Sequence, residues 1–172
     1  GATEWAVETG LVNDSALVQA DRSRASPDTA DGASVERYDF ATAEERIGAQ
    51  RIGGSIYEVD LDRTHPLGFG LTQTQFPVYR NHDLFLPPTA NPFSTVARYT
   101  EAPRLSGYVS AENLARIRGS GSLLVDAVGR GRIVLFVDNP NFRGFWYGTN
   151  RLFLNALFFG NTIDVPSAAG YE

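Results

Sequence analysis

Apolar and polar residues alternate through Ser55-Ile56-Tyr57-Glu58-Val59-Asp60-Leu61, and with Ile and Val among the apolar positions this predicts a half-buried strand. Short apolar runs at Phe76 to Tyr79, Leu84 to Leu86 and Thr95 to Tyr99, set between proline-containing turns, predict further short strands. Ser122 to Val128 and Arg132 to Val137 are longer apolar runs joined by Gly129-Arg130-Gly131, a spacing that suits a tight hairpin, and both are expected to be central in the sheet. The period then changes. From Thr149 to Phe159, Leu152, Phe153, Ala156, Leu157 and Phe159 recur at helical spacing, with Gly160 and Asn161 as the stop. Shorter helices are predicted at Ala2 to Thr9, closed by Gly10, at Tyr38 to Gln50, closed by Gly53-Gly54, and after Ser110, whose hydroxyl is placed to cap the first turn. Between Asn13 and Ser34 large apolar side chains are scarce, so a loosely packed excursion is expected there.

Helices and strands in this order suit one α/β sandwich with a mixed sheet. The 172 residues, 42% of them hydrophobic and 12% aromatic, are enough for one sizeable core and predict a single domain. Gly1 followed by Ala2-Thr3-Glu4-Trp5 is an unusual natural start and suggests a domain excised from a longer chain, its sheet incomplete at the N-terminus. Such a sheet would keep an open edge, and a homodimer paired through that edge is expected.

A net charge of -5 argues against sequence-independent nucleic-acid binding, and the fifteen cationic residues, all Arg, are dispersed rather than clustered. Absence of cysteine removes disulfides, thiolate metal sites and a cysteine nucleophile together. No run is long and apolar enough to be read as a membrane span. His65 and His82 stand apart from any zinc-ligand spacing, so no metal site is expected, and Gly119-Ser120-Gly121-Ser122 precedes a strand rather than a helix, which excludes a nucleophile elbow. No catalytic residue is assigned.

Two loops remain as candidate ligand-binding surfaces. Arg80-Asn81-His82-Asp83 could capture an anion or a peptide carboxylate through Arg80 and His82. Asp138-Asn139-Pro140-Asn141-Phe142-Arg143-Gly144-Phe145-Trp146-Tyr147 follows a predicted strand at its C-terminal end, where open α/β sheets bind ligands; Asp138, Asn139, Asn141, Arg143, Trp146 and Tyr147 are its candidates. The alternative is a closed turn with Phe142 and Trp146 packed inward.

Gly129-Arg130-Gly131-Arg132-Ile133-Val134-Leu135-Phe136, Asn141-Phe142-Arg143-Gly144 and Gly148-Thr149-Asn150-Arg151-Leu152-Phe153-Leu154-Asn155-Ala156-Leu157 resemble the C-terminal end of certain bacterial zinc carboxypeptidases, in which an amidotransferase-like domain follows the metallopeptidase domain. Gly54-Ser55-Ile56, Asp62-Arg63-Thr64-His65-Pro66-Leu67-Gly68-Phe69-Gly70 and Ala2-Thr3-Glu4-Trp5 resemble that family too. The resemblance implies a flavodoxin-like, class I glutamine amidotransferase-like sandwich. It also implies a secreted or periplasmic setting, an upstream peptidase domain as partner, and zinc held in that domain with none held here. The family's glutaminase relatives use a Cys on an elbow and a His-Pro-Glu-like segment. Here the elbow would fall at or before Ala2, and Asn139-Pro140-Asn141 replaces the His-bearing segment, so no base is offered. The chain is thus expected to be a non-catalytic accessory domain that scaffolds the peptidase or presents substrate. The alternatives are a peptide- or cell-wall-binding module using Arg80, His82, Arg143, Trp146 and Tyr147, and a vestigial hydrolase using Asp138 or His65.

Overall fold

The computed structural model describes residues 38–166 together with Ala2, Trp5, Ala6, Thr9 and Gly10. The expected excursion from Asn13 to Ser34 lies outside the described residues. At the N-terminal end the Trp5 carbonyl accepts from the Thr9 amide at 2.9 Å, and Gly10 follows at φ +69°, as its expected role in stopping a helix requires.

A 3-10 turn, Phe40–Thr42, opens helix α1 (Ala43–Gln50). Five strands follow: β1 (Ser55–Leu61), β2 (Gln75–Arg80), β3 (Thr95–Ser106), β4 (Gly121–Val128) and β5 (Gly131–Phe136). Helix α2 (Ala111–Ile117) lies between β3 and β4, and α3 (Tyr147–Phe159) follows β5. Ser110 caps α2 as expected, its hydroxyl accepting from the Asn113 amide at 3.2 Å.

The strands form one sheet in the order β2-β1-β3-β4-β5, with every neighbour antiparallel. Two expectations are corrected here. The sheet is antiparallel rather than mixed among the described residues: β1 and β2 are linked by a loop, β4 and β5 by the Gly129–Arg130 turn, and the connection through α2 brings β4 back antiparallel to β3. Nor are both strands of the β4–β5 hairpin central. β3 is the middle strand, with β1 and β4 interior on either side of it, so only β4 of the hairpin lies inside the sheet, whereas β5 is an edge whose residues are mostly only half-buried.

Two further boundaries differ from the sequence pattern. Leu84 to Leu86 is no strand, only a single bridge from Leu86 to Gly121. β3 runs seven residues past the predicted Tyr99, to Ser106, because its alternation is interrupted by an irregularity: two residues along β1, from Tyr57 to Val59, correspond to five along β3, from Arg104 back to Tyr99. The surplus residues include Pro103, tolerable where the ladder is broken. Such bulges increase local twist, and the sheet curls until the ends of its two edge strands meet. Tyr79 of β2 stacks on Phe142, just beyond β5, with ring centroids 4.0 Å apart.

The concave face holds the main core, with Tyr57, Val59, Val78, Tyr99, Leu123 and Val125 packed beneath Leu152 of α3 and Ile117 of α2. A smaller cluster on the convex face joins Leu124, Leu135 and Val137 to Leu86 and Ala6. α3 is fixed at both ends: Thr149 donates to the Pro140 carbonyl at 2.7 Å, and the Asn155 amide donates to the carbonyls of Leu67 and Phe69 at 2.7 and 2.9 Å.

Candidate functional site

β2 presents Phe76, Val78 and Arg80 to the same side, and that parity carries Arg80 into the concave core, where its exposure is 0%. β5 does the same one step beyond its end, where Asp138 is buried. Because the curled sheet brings these two ends together, Arg80 and Asp138 meet with Tyr99 of β3 between them. The Arg80 Nη1 donates to the Tyr99 hydroxyl at 2.8 Å and lies 3.7 Å from Asp138 Oδ1. The other arm of the guanidinium, Nη2, donates to the Leu84 carbonyl, while its plane sits over the Phe85 ring at 4.8 Å. The Tyr99 hydroxyl in turn donates to Asp138 Oδ2, and the Ser122 hydroxyl stands 3.5 Å from the same oxygen.

His82 completes the group from the solvent side. Its Nε2 lies 3.2 Å from Asp138 Oδ1, and its Nδ1 accepts from the Leu84 amide at 3.2 Å. An Nδ1 that accepts carries no proton, so Nε2 holds the proton and donates it to Asp138. Both ring nitrogens are thereby occupied.

The electrostatics follow from burial. Burial pulls the Arg80 pKa down, but Tyr99 and Asp138 beside it pull it up by more, so it rests above its ordinary value and Arg80 stays charged. Burial, reinforced by the Asp138 carboxylate, holds the Tyr99 phenol well above the usual tyrosine range, so it stays a donor. Acid, base and hydrogen-bond donors here face one another, although the Arg80 Nε, buried with them, has no hydrogen-bond partner.

The remaining candidates do not join this group. Asn139 closes the turn after β5, its side-chain oxygen accepting from the Asn141 amide at 3.0 Å, and Asn141 is exposed. Arg143 is exposed and takes φ +51°, the left-handed region that costs a branched or long side chain most. Trp146 is half-buried beside Tyr79, with centroids 6.2 Å apart, and Tyr147 is exposed where α3 begins. His65, the other histidine, is the cap of the turn Pro66–Gly68, its Nδ1 accepting from the Leu67 amide at 3.2 Å.

A cavity of about 20 Å³ lies under the cluster, lined by Ser122, Leu123, Asp138, Asn139, Thr149 and Leu152, with room for a single water. The larger recess of about 390 Å³, on the far side near Asp60, Asp62, Thr89 and Arg98, contains none of the sequence candidates. Among the described residues no group of three or more His, Asp or Glu converges as a metal site, and no helix is long and apolar enough to cross a membrane.

Sequence reasoning missed Tyr99, the hub of the cluster, along with Ser122. The available signal was strand parity: Arg80 continues the inward series of Phe76 and Val78, and a charged residue on a core-facing position demands a buried partner. No family model matches the chain, and neither a curated protein nor a solved structure matches it.

Proposed function

We propose that the chain is a non-catalytic accessory domain of a zinc carboxypeptidase, scaffolding the peptidase or presenting substrate to it. In this reading zinc and peptidase chemistry belong to an upstream domain of a secreted or periplasmic protein. The amidotransferase-like, flavodoxin-like part of this reading calls for parallel strands, and every strand pair among the described residues is antiparallel. The observation that carries the non-catalytic part is that the base and the carboxylate of the cluster are already engaged by neighbouring groups. A base must have a free lone pair within reach of a substrate proton, and His82 uses its only one on the Leu84 amide. Asp138 is likewise engaged by Tyr99, His82 and Arg80.

The test is to incubate the chain with glutamine and with peptides bearing free C-termini, following ammonia and amino-acid release. No turnover is expected. Release that disappears in Asp138→Asn would overturn the reading, since it would show the cluster performing chemistry.

A second reading, a peptide- or cell-wall-binding module, is favoured by one feature: Arg143, Phe145 and Tyr147 are exposed at alternate positions from the turn after β5 to the start of α3, with Arg143 held at φ +51°. Titration of Trp146 fluorescence with acidic peptides and muropeptides tests it. A saturable change abolished by Arg143→Ala supports it, and an unresponsive signal removes it.

A further inference from the structure

Asp60 and Arg98 face each other across the β1–β3 ladder, and their neighbours in register, Val59 opposite Tyr99 and Leu61 opposite Ala97, point into the main core. Alternation therefore turns the Asp60 and Arg98 side chains together onto the convex side, where both line the large recess. Opposite charges in direct cross-strand register ordinarily pair with each other. Here they do not: among the described residues neither side chain has a hydrogen-bond or ion-pair partner.

The wall facing them is held by its own hydrogen bonds. The Thr89 amide donates to the Thr95 hydroxyl at 3.0 Å, and the Thr89 hydroxyl donates to the Asn91 carbonyl at 2.7 Å. The Asn91 side chain accepts from the Phe93 amide at 3.0 Å, and Pro88 and Pro92 fix φ on either side. Little ordering entropy therefore remains to be lost when a ligand enters. The space enclosed, about 390 Å³, falls in the range of small-molecule sites, roughly 300–1,000 Å³.

Charge then selects the ligand. Arg98 offers a planar guanidinium suited to a carboxylate, and Asp60 offers a carboxylate suited to an ammonium. A small molecule that answers both carries an anion and a cation on neighbouring atoms, as the carboxylate and α-ammonium of a free amino acid do. Asp62 adds a second carboxylate to the recess; its Oδ1 is taken by the Thr64 amide and hydroxyl at 2.9 and 2.6 Å, which leaves Oδ2 open. Two carboxylates against one guanidinium give the recess an excess of negative charge, so a second cation at the end of the ligand's side chain balances it. A simple anion would be repelled by both carboxylates, and a polyamine would leave Arg98 unanswered.

We infer that the recess binds a free α-amino acid with a cationic side chain, its carboxylate on Arg98, its α-ammonium on Asp60 and its side-chain cation towards Asp62. This goes beyond the accessory role and does not depend on it. The test is an NMR titration of the intact, isotope-labelled chain at low ionic strength with L-lysine, L-glutamate and Nα-acetyl-lysine. L-Lysine should shift the amides around Asp60, Thr89 and Arg98 saturably. L-Glutamate, which brings a second anion to the carboxylates, should bind at least about tenfold more weakly, and Nα-acetyl-lysine, which lacks the α-ammonium, likewise. Arg98→Gln and Asp60→Asn, outside the core, should each keep the circular dichroism spectrum and weaken L-lysine roughly tenfold or more. No saturable shift up to about 10 mM L-lysine overturns the inference, as does binding that survives both substitutions. Equal binding of L-glutamate overturns it by removing the charge selection. Equal binding of Nα-acetyl-lysine overturns it by showing that the end of a peptide, not a free amino acid, is read.

Discussion

The Arg80–Asp138 cluster and the outer side of α3 break the same rule in opposite directions. One buries charge, the other exposes hydrophobic surface, and in both the sequence departs from what burial alone would select. They differ in whether the departure is compensated. The guanidinium and the carboxylate of the cluster each have partners among the described residues, with only the Arg80 Nε left without one, and the consequence is structural: the cluster joins the end of β2 to the end of β5. The outer side of α3 has no such compensation within the described residues. A compensated anomaly points inward, whereas the outer side of α3 leaves apolar surface exposed among the described residues.

The strongest way to break this contrast is to uncompensate the cluster. Asp138→Ala would leave Arg80 charged in a site with 0% exposure, and removing one partner of a buried pair typically costs about 3–5 kcal/mol. Urea denaturation should show that loss, and a change below about 1 kcal/mol would mean that water already reaches Arg80. The two sides of α3 give the next largest effect. Leu152→Ala empties a core position and should cost about 2–5 kcal/mol, whereas Leu154→Ala should cost well under about 1 kcal/mol. Equal losses would show that the outer side is already packed within one molecule.

Legibility in the sequence divided along similar lines. Strand β1, the β4–β5 hairpin, the Ser110 cap and α3 were readable because each depends on local spacing or turn chemistry. Strand order was not: hydrophobic runs report burial, and the β4–β5 run is long because β4 is buried on both sides while β5 merely accompanies it to the edge. The site was partly readable. Arg80, His82 and Asp138 were all singled out, but as surface ligands from two separate loops. Their union depends on the curl, which arises from bulges in β3 that no periodicity anticipates. Tyr99 was read only as the end of a strand, because a tyrosine within a strand carries no mark of a polar role.

Arg143 sharpens the contrast from the side of the backbone. Its φ of +51° is a local cost with no compensating side-chain hydrogen bond among those observed, in an exposed turn next to the aromatic patch. Arg143→Gly should relieve about 0.5–1 kcal/mol after the greater chain entropy of glycine is counted, raising the midpoint of thermal unfolding slightly. If the same variant loses a peptide or muropeptide signal at Trp146, the strain serves recognition. If it gains stability with no other change, the strain is only the geometry of a tight turn.

The smallest effect concerns the turn on which α3 rests. Asn155 ties the helix to the carbonyls of Leu67 and Phe69, and that turn is capped by the neutral Nδ1 of His65. Burial lowers the His65 pKa below its ordinary 6.5, with nearby Asp62 opposing the shift only in part. In the unfolded chain the ring takes up its proton at the higher, ordinary pKa. Between the two values the unfolded state therefore binds more protons, and stability must fall as pH drops through that window. The contribution is complete above about pH 6.5, declines below it, and levels off once the folded-state value is passed. His65→Asn, which can still accept from the Leu67 amide, should flatten this part of the curve measured by urea denaturation between neutral and mildly acidic pH. Because His82 is the other histidine and faces the Asp138 carboxylate, the paired variant His82→Asn separates the two: a slope that survives His82→Asn and vanishes in His65→Asn assigns the effect to the turn beneath α3. The reverse would assign it to the cluster, making the cluster, and not the foot of the helix, the pH-sensitive part of the fold.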